Sequence, residues 1–291
     1  MRKLPMTPSL SRRPRISVVT PSYNQARYLE ETIRSVLQQR ADIDEYIIMD
    51  GGSNDGSVDI IRRYADQIDH WVSERDGGQG AAIRKGFERA RGDVLFWVNS
   101  DDLMAPGAAA RVREAFQKHP EWDVLTGYSV FVDAESHITA VNCVPAESRW
   151  WASQGVLHVC QQTCYFTKAL YDRVGGMDPS LHCALDTELW LRFFEADATW
   201  GRVPAILGGF RLHGEMKGVT WTESYERERH IVAARHPWFP TRPSPFTLGR
   251  ILYRTQRAAG ILVGRDTWTR RFAGSMLSDH HADSLSRTTE V

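Results

Sequence analysis

The stretch "DVLFWVNSDD" (residues 93–102) runs from an apolar strand directly into two adjacent carboxylates. The uninterrupted apolar run at 94–98 is typical of a strand that is covered on both faces. Asp101 and Asp102 repel each other and lose hydration beside a core, so they need a cation, a positive partner or open water. We expect a divalent cation, Mg²⁺ or Mn²⁺, shared with a diphosphate. The alternative is that Asp102 caps the helix expected near Pro106.

Strand and helix patterns alternate four times in the first 120 residues. The predicted strands cover 15–21, 44–50, 70–74 and 93–98, and the helical patterns cover 26–39, 57–68, 80–92 and 105–120. This order predicts an α/β fold, an open doubly wound sheet with helices on both faces. Ligands of such sheets bind at the carboxyl ends of the strands. Three strand ends are unusually polar, at 20–24, 50–57 and 99–102, and we expect them to face one crevice.

The pattern changes after residue 123 and again near residue 236. Residues 123–141 read as a β-hairpin, and "DTELWLRF" reads as a helix that carries Asp186 near its first turn. Trp190 on that helix is expected in the core, whereas Trp150 and Trp151 are either core residues or contacts for a second substrate. The expected organisation is a disordered leader at 1–14, one domain at 15–235 with halves at 15–123 and 124–235, and a partly helical extension at 236–291 whose last dozen residues are disordered.

The composition is that of an ordinary globular protein. Lys plus Arg and Asp plus Glu both total 36, so the net charge is zero and nothing favours binding to nucleic acid. No apolar run approaches the roughly 18 residues of a membrane span, and the basic leader lacks the apolar segment of a signal peptide. We therefore expect a cytoplasmic protein with free thiols. A zinc cluster is disfavoured because its candidate ligands are irregularly spaced; they are His158, Cys160, Cys164, His182 and Cys183.

Five segments in order resemble glycosyltransferase family 2, which has the GT-A fold. They are "ISVVTPSYNQARYLEETIRSVLQQ", "IIMDGGSNDGS", "ERDGGQGAAIRKGFERARGDVLFWVNSDD", "GGMDPSLHCALDTELWLRF" and "FRLHG". The likeness extends over residues 16 to about 215. It implies inverting transfer of a sugar from a nucleoside-diphosphate sugar to a hydroxyl of a glycan or lipid-linked acceptor, as in surface polysaccharide or lipopolysaccharide assembly.

The resemblance also implies roles for individual residues. The nucleotide-sugar positions are Thr20, Pro21, Tyr23, Asp50, Asp76, Asn99 and Asp101. Asp101 would also hold the Mn²⁺ or Mg²⁺ ion, with His213 as a less secure second contact, and Asp186 would be the general base. Asn99 departs from the family, which has an acid there. Four assignments keep a structural alternative. Asp50 could shape a turn, and Arg84, expected near a phosphate, could be solvated. Asp186 could be a residue at a helix N-terminus that interacts with the helix dipole, and His213 could be a packed or exposed histidine.

Other functions stay open at this point. A sugar nucleotidyltransferase is disfavoured, since no Gly-rich phosphate loop with a lysine follows the first strand, and a dinucleotide oxidoreductase lacks GxGxxG. A non-catalytic sugar-nucleotide-binding protein would keep Asp50 and Asp101 and lose the base, and Asp186 is present. The extension at 236–291 has three open interpretations: peripheral contact with a membrane surface, packing on the main domain, or a homodimer contact.

Overall fold

The computed structural model describes residues 13–143, 146–157, 159–217, 222–240 and 266–285. The strands are β1 Ile16–Ser22, β2 Glu45–Asp50, β3 His70–Ser73, β4 Val94–Trp97, β5 Leu103–Met104, β6 Val124–Val132, β7 Ile138–Asn142, β8 Tyr165–Thr167 and β9 Trp200–Arg211. The α-helices are α1 Ala26–Leu37, α2 Ser57–Arg63, α3 Gln79–Arg89, α4 Ala108–Lys118, α5 Arg149–Ser153, α6 Lys168–Arg173, α7 Leu185–Glu195, α8 Thr222–Arg235 and α9 Asp266–Phe272.

These strands form one mixed sheet in the order β3-β2-β1-β4-β8-β6-β9-β5, with β7 paired to β6. The first four strands are parallel, which confirms the predicted doubly wound half. Strand β8 runs antiparallel to both β4 and β6. The sheet therefore continues across the expected boundary between residues 123 and 124. The predicted hairpin is confirmed as the antiparallel pair of β6 and β7.

The opening stretch is buried on both faces, as its unbroken apolar run predicts. Val94 and Phe96 of β4 point into a core layer that includes helices α1 and α4. Leu95 and Trp97 point the other way, into a layer that includes α3 and α7. Trp190 of α7 belongs to this second layer and stacks on Trp97 with ring centroids 5.5 Å apart, so it is a core residue as expected.

Helix α3 lies unusually close to the sheet because it contains a glycine where a side chain would collide. A Cβ at Gly86 would lie 2.5 Å from Cγ1 of Val19 in β1. A glycine inside a helix costs about 0.5–1 kcal/mol relative to alanine, and close approach to the sheet is what it permits here. This approach fixes the N-terminus of α3, with Gly78 and Gln79, at the carboxyl edge of the parallel strands.

The end of the chain packs on the same domain. Gly274 N donates to Ile138 O at 2.8 Å, and Ile138 N donates to Ser275 O at 2.8 Å, so the segment after α9 lines up beside β7. Leu277 and Leu285 are 2% and 1% exposed. The expectation of disorder over the last dozen residues is therefore wrong for 280–285. Within the described residues, no helix has both the length and the apolar character that crossing a bilayer requires.

Candidate active site

A cavity of about 640 Å³ opens beside the carboxyl ends of the parallel strands. Three polar strand ends contribute to its wall: Pro21 to Tyr23 at the end of β1, Gly51 after β2, and Asn99 to Asp102 after β4. The second half of the chain supplies the facing residues, which include Gln161, Gln162, His182, Cys183, Asp186 and Lys217. The cavity thus lies between the parallel half of the sheet and the segments that follow β7.

One end of the cavity combines an aromatic ring with a carboxylate. Tyr23 is 63% exposed. A Cβ placed on Gly51 would lie 3.3 Å from both Tyr23 Cδ2 and Asp76 Oδ1, so the floor between these two side chains is bare backbone. Asp76 is held in place because its Oδ1 accepts a hydrogen bond of 2.7 Å from Gly78 N. A planar ring with N–H groups would find both a stacking surface and an acceptor here.

Two predicted nucleotide contacts, Thr20 and Asp50, do not reach this cavity. Thr20 is fully buried, and its Oγ1 lies 3.1 Å from the hydroxyl of Tyr46. The Asp50 carboxylate accepts hydrogen bonds from Gly52 N, Ser53 N, Ser53 Oγ and Ser73 Oγ. Four donors fill the acceptor sites of a carboxylate. The structure therefore corrects both assignments: Thr20 packs inside the sheet, and Asp50 shapes the turn after β2.

Because Asp50 shapes a turn whereas Asp76 lines the cavity, we expect their substitution by asparagine to affect the free energy of unfolding differently. Asp50→Asn would turn an amide NH₂ group toward N–H and O–H donors, and we expect a loss of about 1–3 kcal/mol in the free energy of unfolding. Asp76→Asn keeps an oxygen for Gly78 N and should change stability by less than about 0.5 kcal/mol. Urea unfolding of both variants measures this. Equal stability of the Asp50 variant and the wild type would contradict the turn-forming role.

Arg84 also lies elsewhere than predicted. Its Nε donates to Glu88 at 3.0 Å and its Nη1 donates to Met177 O at 3.2 Å, and it is not among the residues that line the cavity. The described basic side chains that line the cavity besides His182 are Arg75, which follows β3, and Lys217.

The turn after β4 answers the question that its two aspartates raise. Asp102 is 1% exposed, and its Oδ2 accepts hydrogen bonds from Asn99 Nδ2 at 3.0 Å and Gln162 Nε2 at 2.7 Å. Its Oδ1 accepts from Arg211 N at 3.0 Å. Burial, and then the charge of Asp101, raise the pKa of Asp102 to about 7. Neutral donors thus hold Asp102, so the expectation that both aspartates share a cation is wrong for this one.

Asn99 lines the cavity, and the same network explains why it is an amide. Its Oδ1 accepts from Gln79 Nε2 at 2.7 Å, and its Nδ2 donates to Asp102 and, at 3.1 Å, to Gln161 Oε1. A carboxylate at this position could not donate and would place a third negative charge beside Asp101 and Asp102. Asn99 therefore connects the strand end to α3 and to the segment before β8.

Asp101 turns toward the cavity and meets His213. Asp101 Oδ2 and His213 Nε2 are 3.1 Å apart, with the Asp101 side chain 23% exposed and the histidine side chain 3% exposed. The imidazole lies behind the carboxylate and packs on Tyr28, with ring centroids 4.7 Å apart. Its Nδ1 has no hydrogen-bond partner among the residues that the structure describes. One oxygen donor and one nitrogen donor thus meet at the wall of the cavity.

This pair fits a divalent cation that takes most of its ligands from elsewhere. In the described part of the chain, no three His, Cys, Asp or Glu side chains are close enough to form a metal site by themselves. Mg²⁺ and comparable ions are commonly bound through one or two protein groups plus substrate phosphates and water. The donor set at Asp101 therefore fits a cation that a phosphate ligand would share.

Asp186 lies in the first turn of α7 and lines the same cavity. Its Oδ1 accepts a hydrogen bond of 2.6 Å from Thr187 N. Burial raises the pKa of Asp186, and hydrogen bonds from Thr187 oppose that shift. A carboxylate with a raised pKa is a stronger proton acceptor than an ordinary aspartate.

A second acid, Glu228 of α8, fixes the loop that leads into Asp186. Its carboxylate accepts hydrogen bonds from the backbone N–H groups of His182, Cys183 and Ala184 at 2.8, 2.7 and 2.9 Å. Ala184 at the N-terminus of α7 has no side chain that could cap the helix, so Glu228 satisfies N–H groups that would otherwise lack a partner. Sequence reasoning missed this residue, since a contact across 44 residues leaves no local pattern.

Other cavity residues were also missed by sequence reasoning. They are Gly51, Arg75, Gln79, Gln161, Gln162, His182, Cys183 and Lys217. Glutamines have no characteristic spacing that would mark them. The loop "DGGQG" (76–80) did offer a signal, because glycines directly before a helix at a strand end often allow a ligand to approach the backbone.

The strand order and the cavity at the strand ends are those of the GT-A fold. The mannosyltransferase PcManGT of Pyrobaculum calidifontis, solved with GDP-Man and Mn²⁺, superposes with a TM-score of 0.57 over 92% of this chain and 87% of its own, at 18% identity. That identity supports the fold alone. The GT-A fold implied by the sequence resemblance is confirmed.

The chain belongs to Glycosyl transferase family 2, whose family model matches residues 17–166. A glycosyltransferase of Rickettsia prowazekii is 28% identical over 199 residues, which is 64% of this chain and 61% of that protein. TuaG of Bacillus subtilis, assigned to teichuronic acid biosynthesis as a glycosyltransferase, is 35% identical over 122 residues, 40% of this chain and 48% of its own. The chain thus matches about three fifths of the Rickettsia relative and half of TuaG.

Proposed function

We propose that this chain is an inverting glycosyltransferase that moves a sugar from a nucleoside-diphosphate sugar to a hydroxyl of a glycan or lipid-linked acceptor. One observation carries the proposal: Asp101, with His213 beside it, and Asp186 line one cavity although they come from different halves of the chain. A proton acceptor and an acid suited to a cation are the two groups that this transfer needs.

The nucleotide would bind between Tyr23 and Asp76. The exposed ring of Tyr23 would stack on the base, and Asp76 would accept a hydrogen bond from a ring N–H or a ribose hydroxyl. The bare backbone at Gly51 would let the base approach the floor closely. This arrangement keeps Pro21, Tyr23 and Asp76 of the residues that the resemblance implies, and it leaves Thr20 and Asp50 as supports.

Asp101 and His213 would hold the cation that the resemblance implies, Mn²⁺ or Mg²⁺. When bound there, this ion would supply Lewis-acid stabilisation of the charge that develops on the diphosphate. Support comes from the donor set of the two side chains and from PcManGT, a protein of the same fold that was solved with Mn²⁺.

Asp186 would act as the general base. The acceptor hydroxyl is a weak nucleophile at neutral pH, and its proton would pass to the Asp186 carboxylate as the oxygen attacks the anomeric carbon. Attack from the face opposite the leaving group inverts the anomeric configuration. The raised pKa of Asp186 improves proton transfer, and Glu228 keeps the loop before Asp186 in place.

The acceptor class rests on relatives. TuaG is assigned to teichuronic acid biosynthesis, and a growing glycan of that kind fits the proposed hydroxyl acceptor. Trp150 is 46% exposed on α5 and packs against Trp151, with ring centroids 4.8 Å apart. Neither tryptophan lines the cavity, so they stay candidates for an outer part of an extended acceptor. Residues 241–265 and 286–291 of the extension lie outside the described residues, and the membrane and homodimer proposals rest on sequence alone.

Incubation with a panel of UDP-, GDP- and dTDP-sugars tests this function. With Mn²⁺ present, we expect one donor to release nucleoside diphosphate, and chelation by EDTA to lower that release at least about tenfold because Asp101 binds a cation. Excess Mn²⁺ should restore the release, which controls for damage by the chelator.

Two results would contradict the proposal. If no donor in the panel binds to the protein or releases nucleoside diphosphate, the transferase function is rejected. Formation of a nucleotide sugar and pyrophosphate from a sugar phosphate and a nucleoside triphosphate would instead identify a nucleotidyltransferase. Unchanged release in EDTA would remove the cation from Asp101 while leaving the transfer itself intact.

A further inference from the structure

Lys217 is a half-buried cation in the wall of the cavity that neither the resemblance nor the proposed mechanism uses. It lies four residues after His213. Its Nζ donates hydrogen bonds to Gln79 Oε1 at 2.7 Å and to the backbone oxygen of His182 at 3.1 Å. These two bonds orient the ammonium group within the wall of the cavity.

Lys217 lies beside the N-terminus of helix α3. Gln79 is the first residue of α3, so the ammonium group lies at the helix end that carries the positive partial charge. Burial lowers the pKa of Lys217, and the acidic groups of Cys183, Glu228 and Asp101 oppose that shift. The Glu228 carboxylate is itself occupied by three backbone N–H groups. An anion in the cavity would face both the ammonium group and the positive end of the α3 dipole.

A short chain of hydrogen bonds places Lys217 near the end of the cavity that holds Asp101. Lys217 donates to Gln79, Gln79 donates to Asn99, and Asn99 is two residues before Asp101 in the turn after β4. The two groups that favour phosphate binding, the acid suited to a cation and the ammonium group, are thus joined through two side chains. Both approach the cavity from the segments that follow β4 and β9.

We propose that Lys217 contacts the diphosphate of the bound donor and is a catalytic residue that stabilises the leaving group. This inference rests on the proposed function. In the reaction, the acceptor oxygen bonds to the anomeric carbon, and the bond from that carbon to the diphosphate oxygen breaks. The electron pair goes to the diphosphate, the hydroxyl proton goes to Asp186, and Lys217 keeps its proton while its hydrogen bond to the leaving oxygens strengthens.

The test compares diphosphate binding with nucleoside binding. Wild type, Lys217→Met, Lys217→Arg and Lys168→Met are titrated with UDP and GDP by calorimetry, with Mn²⁺ and with EDTA, and with uridine and guanosine by ligand-observed NMR. Methionine keeps the apolar stem and removes the charge. Lys168 is a matched control, since it pairs with Asp172 on the surface of α6. Thermal unfolding of each variant reports whether the fold is kept.

We expect Lys217→Met to weaken binding of the preferred diphosphate by about tenfold to a hundredfold in both Mn²⁺ and EDTA, with nucleoside binding unchanged. Lys217→Arg should keep most of the preference for diphosphate over nucleoside, and it serves as the test if the methionine variant does not fold. Lys168→Met should bind like the wild type.

Two results would overturn the inference and leave the proposed function standing. Equal affinity of Lys217→Met and the wild type for the diphosphate would show no contact, and an equal loss for diphosphate and nucleoside would assign Lys217 to the cavity wall. If the wild type binds neither UDP nor GDP nor, in a further titration, dTDP, the proposed function is rejected, and the inference about Lys217 is rejected with it.

Discussion

Asp186→Asn is expected to lower the rate of nucleoside-diphosphate release by about 10²–10⁴-fold, because an amide cannot accept the proton of the attacking hydroxyl. The substitution keeps the size of the side chain, and its oxygen can still accept the hydrogen bond from Thr187 N. The donor should therefore bind with unchanged affinity, and the loss should appear in kcat. The measurement is steady-state release from the donor that the panel identifies, with Asp172→Asn on the exposed end of α6 as the matched control.

The pH profile separates a general base from a residue that only supports α7. A base works when it is deprotonated, so the rate falls as the pH drops through its pKa. Because burial raises the pKa of Asp186, the acid limb of kcat/KM should lie above the usual range of aspartate, and it should disappear in Asp186→Asn. An acid limb that persists unchanged in the variant would assign the proton acceptor to another group. Full activity of the variant would reject the assignment outright.

The parallel half of the fold could be predicted because its signals are local. The runs in β1, β2 and β4 are short and apolar, and each is followed by a helical stripe within one connection. Neighbouring residues of a strand face opposite sides of the sheet. Phe96 and Trp97 of β4 are both buried because helices cover both sides. From this order alone, the strand-end rule placed the polar segments after β1 and β4 at one edge.

The roles of individual acids could not be predicted in the same way. Asp50 and Asp76 lie at or just after the ends of neighbouring parallel strands; the residue pattern favoured ligand contact for Asp50, and the family resemblance implied it for Asp76. The difference is that Ser53 and Ser73 supply hydroxyl groups to Asp50, so its carboxylate is filled from within the protein. The order "DGGS" contained a hint, since a turn that supplies N–H groups two and three residues later commonly captures an aspartate.

Contacts between distant segments were beyond local patterns. His213 reaches Asp101 across 112 residues, and its assignment depended on family resemblance. Glu228 and Lys217 have no counterpart in the motifs, and they enter the site only because α8 and the segment after β9 fold back beside α7 and α3. The sequence thus predicts which strand ends form the site, whereas tertiary packing decides which side chains face into it.

Arg211→Met is expected to lower the free energy of unfolding by about 3–5 kcal/mol, the largest stability effect that this structure suggests. The Arg211 side chain is fully buried beneath the site. It donates to the backbone oxygens of Asp101, Asp133 and Ala134, to Ser136 Oγ and to Glu31 Oε2. Because Glu31 is 38% exposed and can be solvated, most of the loss should come from backbone oxygens that would remain buried without a donor.

The same variant should weaken Mn²⁺ binding, because Arg211 positions both parts of the proposed cation site. Its guanidinium lies 4.8 Å from the centre of the Tyr28 ring, and that ring packs on His213. Urea unfolding measures the stability, and calorimetry with Mn²⁺ and the preferred diphosphate measures the site. Arg211→Lys keeps the charge but cannot reach all five acceptors, so an intermediate loss is expected. Arg202→Met is the control on the same strand, since Arg202 lies over Tyr128. If Arg211→Met costs no more stability than this control, the buried guanidinium does not hold the turn after β4 together.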